Sequence, residues 1–208
     1  MTSAPARLIA IGAAAAVGGA ALWWRRNPSA CPYGQRFWVE APHPIITRGR
    51  LREVVGLAPG ERVLEVGVGT GYYSLPLAEW VGASGHLDLF DLQREMLDHT
   101  LASAREAGLA ERVTATRGDA TSLPYDDDAF DAAVIVATLG EIPDRDAALR
   151  ELARVVRPGG RVVVGELFGD PHMITWGALR RMAAGAGLEV ERRSGPWVGY
   201  FARLRPRG

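Results

Sequence analysis

Apolar residues follow two alternating patterns along this chain, and together they predict an alternation of strands and helices. Short apolar runs predict strands, whereas apolar residues that recur every three or four positions predict helices. The predicted strands are Arg62–Val66, Gly85–Asp91, Val113–Arg117, Phe130–Ala137, Arg161–Leu167, Leu188–Arg193 and Gly199–Leu204. The predicted helices are Ile45–Val55, Tyr72–Val81, Gln93–Gly108, Asp144–Val156 and Thr175–Ala186. This regular alternation is typical of one doubly wound α/β domain.

An uncharged apolar stretch, residues 8–24, precedes the alternating pattern. It is barely long enough to span a bilayer, for which about 17–25 residues are needed. Trp23 and Trp24 close the stretch and Arg25 and Arg26 follow, as at a membrane interface with the positive side in the cytoplasm. We therefore expect a membrane anchor in residues 1–26 and a cytoplasmic domain after it. A cleaved signal peptide, or a helix that packs on the domain or makes an oligomer contact, remains open.

Composition and charge exclude several classes of protein. Lys+Arg total 24 and Asp+Glu total 24, so the net charge gives no indication that nucleic acid is the main partner. The single cysteine, Cys31, excludes an internal disulfide framework. Four scattered histidines make a zinc site unexpected, so we predict no metal.

A glycine-rich turn joins the first predicted strand to the helix that follows it. Gly67, Gly69 and Gly71 permit a tight turn and let a ligand approach the backbone closely. The free N–H groups that start the next helix favour a carboxylate or a phosphate. The dinucleotide fingerprint requires a third glycine where this chain has Tyr72, which disfavours an oxidoreductase. A plain strand-to-helix turn is the alternative.

Carboxylates follow the second and third predicted strands. Asp91 is placed where a carboxylate accepts hydrogen bonds from ribose hydroxyls in doubly wound sheets, and Asp119 where an exocyclic amine could be bound. Each could instead cap a helix or a turn. With the glycine turn, both predict a ligand crevice at the carboxyl ends of the strands.

Four blocks of sequence resemble one enzyme family in order and spacing. They are LEVGVGTG at 64–71, FDLQREML at 90–97, GDATSLPYDDDAFD at 118–131 and LGEIPDRDAALRELARVVRPGGRVVVGE at 139–166. The blocks resemble the class I S-adenosylmethionine-dependent methyltransferases, in the branch that includes the quinone C-methyltransferases. The resemblance implies a doubly wound, mostly parallel seven-stranded sheet whose last strands are antiparallel. It also implies S-adenosylmethionine as the cofactor.

The same resemblance implies which residues meet each half of the cofactor. The residues expected near its methionine half are Glu65, Gly67, Gly69, Gly71 and Ala137. The residues expected near its adenosine half are Asp91 at the ribose, Leu92 and Gln93 beside it, and Asp119 and Ala120 at the adenine.

The chain departs from the family where the methyl acceptor should bind. Many relatives carry His or Asn pairs after the fourth strand, whereas this chain has Glu141. Glu141, Glu166 and His172 are therefore the candidates for a general base, with a structural role open for each. A base is needed only when the acceptor is protonated at the working pH.

An arm rich in proline and aromatic residues, 27–44, lies between the apolar stretch and the domain at 45–208. Phe37, Trp38 and His43 predict a lid that forms part of the acceptor pocket, unless they only pack the arm or rest in lipid headgroups. We expect methyl transfer by in-line displacement to a small lipophilic molecule. The alternative is an inactive, membrane-tethered binding module with the same fold.

Overall fold

The computed structural model describes residues 28–35, 37 and 43–207, and in this part of the chain the strands form one seven-stranded sheet. The strands are β1 (Arg62–Val66), β2 (His86–Asp91), β3 (Val113–Arg117), β4 (Phe130–Val136), β5 (Val156–Leu167), β6 (Leu188–Ser194) and β7 (Gly199–Pro206). Their order is β3-β2-β1-β4-β5-β7-β6. β1 to β5 are parallel to one another, and β7 is antiparallel to both β5 and β6. The predicted fold class is confirmed.

Helices cover both faces of the sheet. They are α1 (Arg48–Val55), α2 (Ser74–Trp80), α3 (Arg94–Glu106), α4 (Arg145–Val155) and α5 (Trp176–Gly185). Side chains at the starts of α1, α4 and α5 accept hydrogen bonds from the first turn of each helix, as N-caps do: Thr47, Asp144 and Thr175. Short 3-10 turns occur at Tyr33–Gln35, Ala110–Arg112 and Leu139–Glu141.

Alternation along the strands divides the core into two layers. Val63 of β1 packs with the apolar residues of α1, α2 and α3, whereas Leu64 packs with those of α4 and α5. β1 and β4 lie near the middle of the sheet and are buried on both faces, which explains their nearly continuous apolar sequences. We refer to these sides as the α1–α3 face and the α4–α5 face.

The strand order reverses between β1 and β4, and this places the site. β2 and β3 lie to one side of β1, while β4 and the later strands lie to the other. In open α/β sheets such a reversal leaves a crevice at the carboxyl ends of the two central strands, where ligands bind. The crevice here is bordered by the turn after Val66 and the loop after Val136.

The predicted strand and helix bounds differ from the observed ones mainly at β5. The prediction begins this strand at Arg161, because Pro158-Gly159-Gly160 has the sequence of a turn. In the structure β5 begins at Val156, which pairs with Phe130, and the register shifts before Ala132 pairs with Arg161. Glycine makes this irregular strand possible: Gly159 has a φ of +79°, and a Cβ on Gly160 would lie 2.7 Å from Asp131 O.

The expected localisation, a membrane-anchored protein with a cytoplasmic catalytic domain, is wrong. Within residues 28–35, 37 and 43–207, no helix is both long and apolar enough to cross a membrane. α3, with 13 residues, is the longest helix of the described part, and about 20 apolar residues are needed to span a bilayer. The expected membrane contact is therefore unsupported. The predicted anchor, residues 8–24, lies outside the described residues.

Candidate cofactor and acceptor site

The turn between β1 and α2 holds three glycines in the left-handed backbone region. The φ angles are +74° at Gly67, +54° at Gly69 and +85° at Gly71, which other residues adopt only with strain. A Cβ added to Gly67 would lie 2.2 Å from Oγ1 of Thr138, just after β4. The Gly67 amide also donates to Phe90 O, at 2.8 Å. The turn is therefore fixed against both strands that flank β1, and position 67 accepts only glycine without rearrangement.

Glu65 lies directly before this turn, on the α1–α3 face, and is only 3% exposed. Burial raises the pKa of its carboxyl to about 8; the nearby Ser74 hydroxyl opposes this rise and the charge of Asp91 adds to it. Its Oε2 has no hydrogen-bond partner among the described residues. Buried polar atoms are nearly always hydrogen-bonded, so this oxygen indicates a missing donor.

Asp91 ends β2 and is 7% exposed. Its Oδ1 accepts a hydrogen bond from Gln93 N at 2.8 Å, and the carboxylate also accepts from the amides of Gly69, Val68 and Leu92. Burial raises the pKa of Asp91, and these backbone donors oppose the rise. The carboxylate thus holds the glycine turn from the β2 side. Four donors occupy about as many acceptor positions as two carboxylate oxygens offer, so a ribose hydroxyl would share an oxygen with one of these amides or replace it.

The residues expected at the adenine lie at the ends of β2 and β3. Leu92 directly follows β2 and is 54% exposed. Asp119 is exposed after β3, and its Oδ1 accepts from both the amide and the hydroxyl of Thr121, at 2.9 and 2.8 Å. This is the turn-capping arrangement left open by the sequence. Ala120 beside it is half-buried against the core of the α4–α5 face.

Ala137, directly after β4, has a φ of +50° although it is not glycine. Such a conformation costs free energy and is concentrated at functional sites. The Ala137 amide donates to Gly165 O at 2.8 Å, which holds the residue in place. Together with the contact between Thr138 and Gly67, this brings the end of β4 against the glycine turn.

Residues 28–35 of the arm lie across the crevice, held from both of its sides. Cys31 N donates to Oε2 of Glu141 at 3.2 Å, and Cys31 O accepts from Nε2 of Gln93 at 2.9 Å. Tyr33 N in turn donates to Oε1 of Gln93, at 3.2 Å. The side-chain amide of Gln93 therefore both donates to and accepts from the backbone of the arm, as a neighbouring β-strand would. The sequence assigned Gln93 only to the adenosine, and no motif predicted these contacts.

Glu141 is the candidate base that borders the crevice. Burial raises the pKa of its carboxyl to about 8; the hydrogen bond from Cys31 N opposes the rise, and the charges of Asp170 and Asp91 add to it. The charge of Asp91 thus reaches Glu141 from the end of β2, on the neighbouring side of the crevice. A base with a pKa near the working pH is suited to proton transfer.

Glu166 and His172 lie deeper, on the α4–α5 face. Glu166 is fully buried; its Oε2 accepts from Ile174 N at 2.9 Å, and burial raises the pKa of the carboxyl to about 8. The His172 amide donates to Oδ1 of Asp170 at 2.7 Å, and its imidazole is buried. His172 also borders a cavity of about 90 Å³ that Arg145, Pro171 and Met173 help to line. The Glu166 side chain thus joins β5 to the loop that follows it, and the His172 backbone is held within the same loop.

The predicted lid residues have different surroundings. Phe37 is 58% exposed, and Trp38 lies outside the described residues. His43 is half-buried, with its ring centroid 4.9 Å from that of Tyr72 and 6.0 Å from that of Tyr73. Burial lowers the pKa of His43, which favours the neutral imidazole. This part of the arm therefore packs on the residues that directly follow the glycine turn.

Comparison with known proteins agrees with this architecture. Residues 63–160 match the family model described as "Methyltransferase domain". The crystal structure of a SAM-dependent methyltransferase from Aquifex aeolicus superposes with a TM-score of 0.76, at 20% identity, over 84% of this chain and 98% of that one. The matched part of the chain is therefore a methyltransferase domain with the fold of the S-adenosylmethionine-dependent enzymes, and this domain and fold imply S-adenosylmethionine as the cofactor.

Similar sequences include quinone-biosynthesis enzymes. A protein named ubiquinone/menaquinone biosynthesis C-methyltransferase from Vibrio vulnificus is 39% identical over 53% of this chain and 43% of its own length. Its namesake from a Shewanella species is 35% identical over 67% of this chain and 52% of its own length. The chain thus spans about half the length of these relatives. The fold also occurs in the [4+2]-cyclase SpnF, with a TM-score of 0.68 and 25% identity over 77% of this chain and 81% of that one.

Proposed function

We propose that the protein transfers the methyl group of S-adenosylmethionine to a small lipophilic acceptor at the crevice between β1 and β4. The observation that carries the proposal is the meeting of three features at one sheet edge. These are the glycine turn, the buried carboxylate of Asp91 and the partnerless oxygen of Glu65. We assign the domain to residues 45–208 and the lid to the arm at 27–44.

The residues present fit the cofactor. Glu65 offers a buried carboxyl to the amino acid ammonium, directly before the left-handed turn at Gly67 and Gly69. Asp91 lies where a carboxylate accepts hydrogen bonds from ribose hydroxyls in doubly wound sheets, and exposed Leu92 offers an apolar surface to the adenine. The proposed site is completed by Asp119, Ala120, Gln93, Gly71 and the Ala137 carbonyl.

When bound, S-adenosylmethionine supplies an electrophilic methyl group: an electron pair of the acceptor forms the new bond, and the pair of the broken carbon–sulfur bond stays on sulfur. The chain's task is to hold the acceptor in line and to exclude water, which together lower the barrier substantially. The arm serves this purpose because Cys31 is tied to Gln93 on one side and to Glu141 on the other.

Glu141 is the residue we propose as the proton acceptor. A phenol or an activated carbon loses a proton when it is methylated, and a carboxylate at the crevice can take it. The raised pKa of Glu141, about 8, makes it a stronger base than an ordinary glutamate. We assign Glu166 and His172 to the support of the loop after β5, because both are buried and Glu166 already accepts a hydrogen bond from Ile174 N in that loop.

The acceptor class rests on two supports. Relatives over half the chain bear the name ubiquinone/menaquinone biosynthesis C-methyltransferase. Large apolar side chains, Leu92 and Phe168 among them, are exposed at the carboxyl edge of the sheet, where the crevice lies. We therefore propose an electron-rich aromatic ring that bears an apolar substituent, such as an alkylated or prenylated quinol.

The test uses purified protein, S-adenosylmethionine with a tritiated methyl group, and 2-geranyl-1,4-naphthoquinol kept reduced without oxygen. The proposal predicts tritium in the organic extract and an equal amount of S-adenosylhomocysteine. Glu141→Gln should lower the rate by about 10²–10⁴-fold, the usual contribution of a general base. Glu95→Gln, an exposed change on α3, is the matched control.

A different result would separate the alternatives. Should the protein bind S-adenosylmethionine but label no quinol, alkylphenol or alkylthiol, the inactive binding module would be the better account. Should it label only a water-soluble acceptor, the domain would still be a methyltransferase but the lipophilic acceptor would be wrong.

A further inference from the structure

Four large apolar side chains are exposed in the described part of the chain, and three of them lie at one edge of the sheet. The four are Phe37, Leu92, Phe168 and Trp197, with exposed fractions of 54–74%. Leu92 directly follows β2 and Phe168 directly follows β5, both at the carboxyl edge of the sheet. Trp197 lies in the turn before β7, and this turn is at the same edge because Gly199 pairs with Leu167. Single exposed apolar residues need no explanation, but a set on one edge around a ligand crevice indicates a binding surface.

Phe168 and Trp197 form a pair within this set. Their ring centroids are 6.0 Å apart with an interplanar angle of 65°, an edge-to-face contact. The backbone fixes the pair, since Phe168 N donates to Val198 O at 2.7 Å and so continues the ladder between β5 and β7. The rings are nevertheless 64% and 74% exposed, so each presents most of its surface to a ligand.

The surroundings of the pair favour an apolar ligand. The sequence from Gly195 to Ala202 contains no charged residue, and neither does Leu167–Gly169. The two acids nearest in sequence to Phe168 are Glu166, which is fully buried on the α4–α5 face, and Asp170, whose side chain is only 15% exposed. A charged tail would find no counter-ion in these two segments, whereas an alkyl or prenyl chain would cover both rings.

The position of the pair sets the length of such a ligand. The crevice lies between β1 and β4, and the pair lies beyond the ends of β5 and β7. Neighbouring strands are about 4.8 Å apart, so about 5 Å separates the end of β4 from the end of β5, which Phe168 follows, and about 10 Å separates it from β7, which Trp197 precedes. An acceptor whose ring lies in the crevice would reach both aromatic rings only through a substituent of about 10 Å.

We propose that Phe168 and Trp197 form a subsite for the apolar substituent of the methyl acceptor, and that this subsite selects acceptors with long chains. The inference rests on the proposed function, because it assumes that the ring to be methylated occupies the crevice. The pair then acts as a specificity determinant outside the reacting centre.

A series of 2-alkyl-1,4-hydroquinones with methyl, butyl and octyl chains tests the subsite. Binding is measured by calorimetry with S-adenosylhomocysteine present, and labelling with tritiated S-adenosylmethionine. For wild type, the octyl compound should bind far more tightly than the methyl compound. Each methylene group in contact with the rings should contribute about three- to fourfold.

Glutamine and leucine have side chains of similar size, so Trp197→Gln and Trp197→Leu separate the loss of apolar contact from the loss of ring shape. Trp197→Gln should lower the octyl-to-methyl affinity ratio at least tenfold, and Phe168→Gln should do the same. Trp197→Leu should retain most of the ratio because it keeps an apolar surface. Melting temperatures of all variants check that the fold is intact, and the ratio itself is insensitive to a general loss of active protein.

The outcomes distinguish the two proposals. If the methyl compound is bound and labelled but the octyl compound gains nothing, the subsite is wrong and the proposed function stands. If no member of the series is bound or labelled, both are wrong. If Trp197→Gln abolishes self-association or binding to phosphatidylcholine vesicles while the affinity ratio is unchanged, the pair is a surface contact and the subsite is wrong.

Discussion

Replacement of Gly67 by alanine tests how closely the glycine turn is packed against the loop after β4. The new Cβ would lie 2.2 Å from Oγ1, 2.3 Å from Cγ2 and 2.7 Å from Cβ of Thr138. The left-handed backbone adds about 1–2 kcal/mol for any residue with a side chain. Overpacking of a tight site typically adds about 1–3 kcal/mol. We therefore expect a loss of about 2–5 kcal/mol in the free energy of unfolding, a large part of the 5–15 kcal/mol typical of a domain.

Urea unfolding at pH 7 measures this loss, and the second partner of the contact supplies a check. Thr138→Ala removes Oγ1 and Cγ2 but leaves the Cβ at 2.7 Å, so it should restore part of the stability of Gly67→Ala and not all of it. The double-mutant cycle isolates the contact from the backbone effect.

Gly49→Ala is the matched control, because Gly49 lies in α1 and an added Cβ would meet nothing within 4 Å. Alanine is the better helix former, so this change should stabilise the protein by about 0.5–1 kcal/mol. The reasoning is refuted if Gly67→Ala unfolds at the wild-type urea concentration, or if Thr138→Ala restores nothing.

Three further predictions concern buried carboxyls and the arm. Because burial raises the pKa of Glu65 and Glu166 from 4.5 to about 8, the folded state binds more protons than the unfolded state between these two pH values. The melting temperature should therefore fall from pH 6 to pH 9, and the double substitution Glu65→Gln with Glu166→Gln should reduce that fall. Binding of the cationic cofactor at pH 7 should release about one proton from Glu65, seen by calorimetry in two buffers of different ionisation enthalpy; an equal release from Glu65→Gln would exclude this residue. Gln93→Ala removes two hydrogen bonds to the arm, so limited proteolysis of the arm should accelerate while the domain's melting temperature stays nearly constant. Unchanged cleavage would show that Gln93 does not hold the arm in place.

The elements that sequence predicted well are those whose local pattern agrees with their tertiary setting. β1 and β3 have the predicted bounds because each is a short apolar or β-branched run ended by a turn signal. α1 begins at Arg48 and not at Ile45 because the Thr47 side chain caps it, which leaves Ile46 free to pack beneath Tyr73. β5 was misplaced at its start because a Pro-Gly-Gly sequence, which usually turns, here forms an irregular strand.

The candidate site was predictable from sequence only where its residues belong to a local motif at the end of a strand. A glycine turn after a strand and acids at strand ends have local signatures, and Gly67 and Asp91 show them. Hydrogen bonds join Cys31 to Gln93 and Glu141, which lie 62 and 110 positions further along the chain, and no local sequence motif predicts these contacts. The state of Glu65 depends on burial by α2, and the pairing of Phe168 with Trp197 depends on the register of β5 and β7. Such features need the fold before they can be recognised.

Calorimetric titration with S-adenosylmethionine, comparing wild type with Asp91→Asn, tests the central claim most directly. The substitution keeps the shape of the side chain but removes the charge that strengthens its hydrogen bonds, each of which contributes about 1.5–3 kcal/mol. Asp98→Asn, the same chemical change on the exposed side of α3, is the control. The account predicts one bound cofactor per chain, an affinity at least tenfold weaker in Asp91→Asn and an unchanged affinity in Asp98→Asn. Absence of binding to wild type, or wild-type affinity in Asp91→Asn, would contradict it.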